Sequence, residues 1–123
     1  MANQISWFEL PATDISRAKT FYQTILGSEN MVETEMFGTK MAFLPNDGQS
    51  VSGAIVQGED YYPSKEGTLI YLNGGKDLSI VLSRVESAGG TVIVPKTHIS
   101  AEMGYFAIFF DTEGNKVALH SIG

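Results

Sequence analysis

The sequence of 123 residues contains no cysteine, one tryptophan, two histidines and only eight lysines and arginines. Without cysteine there can be no disulfide, no thiolate nucleophile and no thiolate-bound metal, and the redox compartment is left open. The eight basic residues are scattered and face 14 Asp and Glu, for a formal charge of −6. That balance excludes a nucleic-acid-binding face, which needs clustered Lys and Arg to meet phosphates. No apolar run approaches the roughly 18 residues of a membrane span, and no basic segment followed by an apolar stretch opens the chain. A soluble, cytoplasmic protein is expected. No Gly-rich phosphate loop, zinc-type Cys/His cluster or GxSxG elbow is present.

What is present is the material of one domain, with 43% hydrophobic and 18% charged residues. A chain of this length buries enough surface to need no covalent staple. Residues 4–10 alternate Ile5, Trp7, Glu9 against Ser6, Phe8, Leu10, the two-residue period of a strand. Pro11 ends it and Thr13-Asp14 supplies a helix N-cap. Ile15, Ala18, Tyr22 and Ile25 then recur at helical spacing, and Gly27 closes the helix. Strands are predicted near 30–36, 40–45 and 51–57, separated by Phe37-Gly38-Thr39 and Asn46-Asp47-Gly48.

After a connecting loop at 58–66 the pattern restarts. A strand near 67–73 precedes a helix near 76–88, whose stripe is Leu78, Val81, Leu82 and Val85 and whose end is Gly89-Gly90. Strands near 91–95, 104–110 and 115–121 follow, the last two joined by Asp111-Thr112-Glu113-Gly114. That acidic turn is too short for an EF-hand loop and reads as a hairpin. The order strand, helix, three strands thus occurs twice, in modules 4–57 and 67–121 linked by 58–66. One such unit cannot cover both faces of its sheet, but two can. The expectation is an α+β fold of two βαβββ modules forming a curved mixed sheet around a cleft, helices outside.

In Trp7-Phe8-Glu9-Leu10-Pro11, Asp14, Arg17-Ala18, Phe21-Tyr22 and Gly27, and then Ala88-Gly89-Gly90, Gly104-Tyr105-Phe106 and Asp111 through Ser121, the chain resembles the vicinal oxygen chelate superfamily. Glyoxalase I, extradiol dioxygenases and the fosfomycin and bleomycin resistance proteins belong to it. The resemblance spans nearly the whole sequence and implies the same paired-module fold and a homodimer. Its metal-dependent members carry His, Gln and Glu ligands on the first and last strands of each module. By position these fall here on Trp7, on Ala118, among Thr68, Leu69 and Ile70, and near Gln57. Indole, methyl and aliphatic groups cannot ligate a divalent ion. The resemblance therefore implies a branch lacking the metal site, with no cofactor.

Two ionisable residues remain on the same strand faces as the lost ligand positions. Glu9 lies two residues beyond Trp7, and His120 two beyond Ala118. As a pair they could act as acid and base or anchor a ligand. Equally, they could bond only to each other or to backbone. Trp7, Tyr61, Tyr105, Gln57 and His98 are further candidate ligand-binding residues, with His98 in a loop after the 91–95 strand. Met36, Met41 and Met103 would give an adaptable lining or plain core. Two functions follow. One is a small-molecule binding protein without the metal centre. The other is a glyoxalase- or dioxygenase-like enzyme on a small oxygenated metabolite, with Glu9 and His120 as acid/base groups or partial metal ligands.

Overall fold

The computed structural model describes residues 3–123. The strands are β1 (Trp7–Pro11), β2 (Glu33–Met36), β3 (Thr39–Phe43), β4 (Ser52–Gln57), β5 (Ile70–Asn73), β6 (Thr91–Ser100), β7 (Gly104–Phe110) and β8 (Lys116–Ser121). The helices are α1 (Ile15–Leu26) and α2 (Ser79–Leu82). The fold is α+β and consists of two βαβββ modules. Each makes a four-stranded sheet with the same plan, β1-β4-β3-β2 and β5-β8-β7-β6. In each, a parallel pair (β1 with β4, β5 with β8) continues into antiparallel hairpins. Among the described residues no helix is long and apolar enough to cross a membrane.

α1 forms where its caps require. Asp14 has extended backbone and its carboxylate accepts from the Arg17 amide at 3.1 Å, while Gly27 ends the helix in the left-handed region. The buried stripe is Ile15, Ala18, Phe21, Tyr22 and Ile25. α2 is much shorter than the sequence suggests. Residues 83–89 continue as turns, and the Ser83 and Ser87 hydroxyls donate back to the Ile80 and Arg84 carbonyls. Such side chains compete with the helical ladder. β6 is longer than expected. It runs to Ser100 with several register shifts, so His98 lies on a strand rather than in a loop.

Among the described residues the eight strands form two four-stranded sheets, and α1 packs against both. On one side α1 packs with Ala42 and Ile55 of its own sheet. On the other, the Phe21 ring lies 5.9 Å from Phe109 of β7. A Cβ at Gly90 would stand 2.8 Å from the Phe21 ring, so glycine is what lets the helix and the second sheet meet so closely. The inner faces of both sheets and both helices share one core, from Leu10 and Ile25 through Leu78 and Val85 to Phe109 and Leu119. The outer faces of both sheets point away from it.

Polar contacts fix this packing. The Tyr22 hydroxyl donates to the buried Asp111 carboxylate at 2.7 Å, and Asn115 donates to the same carboxylate at 3.0 Å and to the Pro11 carbonyl at 2.7 Å. Glu113 accepts from the Thr13 and Asp14 amides at 2.9 and 3.0 Å and from Arg17 Nε at 2.7 Å. Burial alone would raise the Glu113 carboxyl, but the Arg17 hydrogen bond and the two amides hold it down at about 2. At the other end, Arg84 donates to the Ile25 carbonyl at 3.2 Å.

The depressed Glu113 contributes stability above the usual carboxylate range, and this is lost as pH falls toward about 2. Glu113→Gln is expected to cost about 2 kcal/mol at neutral pH, the scale of hydrogen bonds to a charged group. Melting curves of both proteins across acidic pH should show the gap closing toward about pH 2. A gap that stays constant would show that the charge contributes nothing.

Candidate functional site

Strand alternation assigns each candidate to a face. In β1, Phe8 and Leu10 join the core, so Trp7 and Glu9 project outward. Around them the outer face of the first sheet carries Met41, Phe43, Ala54 and Val56, a second apolar cluster against which Tyr61 packs. Glu9 pairs with Ala54, which pairs with Phe43, and the Trp7 and Phe43 rings meet edge to face at 5.9 Å. The Tyr61 hydroxyl is raised above its usual range, chiefly by the neighbouring Glu9 charge. Glu9 and Trp7 are exposed.

In β8, Val117 and Leu119 join the core, while Ala118 and His120 project outward on the second sheet. The β7–β8 pairing puts Phe106 opposite His120 and Ile108 opposite Ala118, and β5 adds Tyr71 beside Ala118 and Asn73 beside His120. His120 opens on a recess of about 840 Å³ lined by Tyr71, Asn73, Ile99, Met103, Phe106 and Ile122 among others. No Asp, Glu, Lys or Arg lines it. His120 Nε2 lies 2.6 Å from the Met103 carbonyl oxygen. A carbonyl only accepts, so Nε2 carries the proton and Nδ1 is left as the acceptor of the neutral ring. A second recess of about 720 Å³ lies between the modules, lined by Phe8, Leu26, Leu44, Ile70 and neighbours, with no acidic or basic side chain and no histidine.

The structure does not bring Glu9 and His120 together within the chain. They leave one shared core on the outer faces of different sheets, and each has its own surroundings. Gln57 is committed elsewhere: its carboxamide oxygen accepts from the Ile15 amide at 2.7 Å, at the first turn of α1. Tyr105 faces the core side of the second sheet, beneath Lys96 Nζ at 4.4 Å and beside His98 at 5.2 Å between rings. Tyr105 and His98 thus form a pair separate from the His120 face. The residues missed from sequence are Phe106, Tyr71, Ile99 and Ile122, whereas Met103, weighed as an adaptable lining or plain core, does line the recess. The signal for Phe106 was available, because the Asp111–Gly114 turn fixes the hairpin register that faces it to His120.

The donor set does not fit the metal centre expected of the resembling superfamily. Of the positions onto which the ligands fall, Trp7 is an indole and Ala118 a methyl packed out of solvent, Thr68 and Leu69 precede β5, Ile70 packs against the core, and the Gln57 oxygen is taken by the Ile15 amide. Among the described residues no three His, Asp or Glu side chains converge on one point. Glu9 and His120 lie on different sheets. No step through a metal follows from these residues.

Comparison with known proteins agrees with this architecture. Residues 4–119 match the family model of the Glyoxalase/Bleomycin resistance protein/Dioxygenase superfamily. A glyoxylase-like domain-containing protein of Didymella fabae is 30% identical, over 94% of this chain and 91% of its own length. Among solved structures, a glyoxylase/bleomycin resistance protein/dioxygenase domain from Frankia sp. EAN1pec superposes with a TM-score of 0.72 at 15% identity, covering 98% of both chains. An antibiotic binding protein from Streptomyces sp. CB03234 gives 0.64 at 22% identity, again over 98% of both chains. A glyoxalase I mutant from Zea mays gives 0.69 at 16% identity over 94% of this chain and 46% of its own.

The His120 geometry makes a direct prediction. Nitrogen-detected NMR of the neutral imidazole should show the Nε2–H tautomer, held by the Met103 carbonyl. A dominant Nδ1–H form would mean that the contact does not exist in solution.

Proposed function

Because this chain belongs to the Glyoxalase/Bleomycin resistance protein/Dioxygenase superfamily, we propose that it binds a small organic molecule without a metal centre, as a cytoplasmic homodimer. The observation that carries this reading is the uncharged recess of about 840 Å³ around His120. Its size suits a small-molecule site, and its lining is aromatic and aliphatic with few polar groups, the usual composition of such sites. His120 supplies directional chemistry. With Nε2 committed to Met103, Nδ1 accepts a hydrogen bond from a hydroxyl or N–H of the ligand. That a protein of the same fold is an antibiotic binding protein is in keeping with a binding role.

The dimer follows from the unpartnered faces. Trp7, Met36 and Phe37 on the first module and Tyr71, Met103 and Ile122 on the second are exposed apolar side chains. Single exposed hydrophobes are ordinary, but groups on the outer faces of two sheets mark surfaces that associate. Apposing the first sheet of one chain to the second sheet of another covers both. It also brings Glu9 of one chain and His120 of its neighbour to one cleft, the curved sheet with helices outside. A closed two-fold arrangement makes two such clefts.

A thermal-shift screen of hydroxylated aromatic compounds tests the binding role. A ligand near 100 times its dissociation constant stabilises the native state by about 2.7 kcal/mol, which is a clear rise in melting temperature. The rise should vanish in His120→Ala, whose fold should survive because the ring is only half-buried. Ligands that stabilise both proteins equally would remove His120 from the site.

A further inference from the structure

Among the described residues, Glu9 is the one acidic or basic side chain in the middle of an aromatic and aliphatic sheet face. Trp7 stands two residues before it on the same strand face. Phe43 lies across the buried Ala54, and Tyr61 packs from the linker with its hydroxyl beside the carboxylate. The ion pairs of the structure are Arg17 with Glu113, Lys19 with Glu33 and Lys96 with Asp77. Among the described residues, no Lys or Arg nitrogen therefore lies within 4.0 Å of the Glu9 carboxylate. Lys65, the only cation of the linker, sits over the Phe110 ring of the other sheet at 4.9 Å. Within ion-pair distance no described basic side chain pairs with Glu9, and three aromatic rings share its sheet face. Ring faces attract cations, and a carboxylate adds to that attraction.

We infer that the Trp7–Glu9–Phe43–Tyr61 face binds an organic cation, an ammonium or quaternary ammonium group carried on an apolar body. A metal ion would find one carboxylate and no further donor set, whereas an alkylammonium needs only a charge and ring faces. An anion would meet Glu9 directly, and the −6 net charge would oppose its approach. This deepens the binding role proposed above and rests on it: the cation occupies the first-sheet half of the cleft, and the uncharged body reaches the His120 half.

Trp7 is the only tryptophan, so its emission reports on this face alone. The experiment titrates the wild-type protein with benzyltrimethylammonium, its neutral isostere neopentylbenzene, and benzoate, following Trp7 fluorescence. Saturable quenching is expected with the cation, about tenfold tighter than with the isostere, and none with benzoate. Glu9→Gln keeps the shape and removes the charge, and should reduce the preference for the cation to near unity. Because Glu9 is exposed, this variant should fold, and its melting curve checks that. Equal affinity for cation and isostere in the wild type would overturn the inference while leaving a small-molecule site in place. No saturable response to any probe would overturn it as well, with the His120 recess judged by its own screen. Retained cation preference in Glu9→Gln would move the charge recognition away from Glu9 and also overturn it.

Discussion

Everything in this molecule depends on α1 being held at both ends by the module to which it does not belong. The Glu113 carboxylate receives the amides that lead into the helix N-terminus, and the Arg84 guanidinium donates to a carbonyl of its last turn. Each charge opposes the end of the helix dipole that it complements. Between them, Tyr22 reaches the buried Asp111 and Phe21 reaches Phe109. Asp111 is costly to bury, and its carboxyl is raised for that reason despite hydrogen bonds from Tyr22 and Asn115. What offsets the cost is a fully satisfied network, with no orphan polar side-chain atom found buried among the described residues.

This clamp determines where chemistry can occur. Once α1 lies between the two sheets, their inner faces are consumed by one core. Besides the uncharged recess between the modules, the outer faces of the sheets remain for ligands. One carries Glu9 among aromatic rings, and the other carries His120 in an uncharged recess. In the proposed function these two faces, one acidic and one neutral, are half-sites, on different sheets of one chain. Two of the positions at which the superfamily's metal would be held carry Trp7 and Ala118, whose indole and methyl groups are not ligands.

Much of this was legible in the sequence. Asp14 and Gly27 bracket α1 as their cap chemistry requires, and the twofold order of strand, helix and three strands gave the modules. Strand parity correctly sent Glu9 and His120 to the face opposite Leu10 and Leu119. What parity cannot tell is how two modules stack, since a helix stripe is equally apolar whether it covers one sheet or lies between two. Gln57 looked like a free donor because its partner, the Ile15 amide, is a helix end 42 residues away. Tyr105 and Phe106 are neighbours in sequence, and only the β7–β8 register puts Phe106 rather than Tyr105 opposite His120. α2 was overextended because its apolar stripe is real, while the serines that divert its backbone hydrogen bonds carry no periodic signal.

The central claim is that Glu9 and His120 meet only between chains. The absence of cysteine makes it open to a clean cross-linking measurement. Glu9→Cys and His120→Cys single variants would be mixed, allowed to exchange, and treated with a short bis-maleimide, with the Glu9→Cys/His120→Cys double variant treated in parallel. The account predicts a covalent dimer from the mixed single variants and linkage between chains in the double variant. Efficient linkage within one chain of the double variant, with no dimer from the mixture, would contradict it.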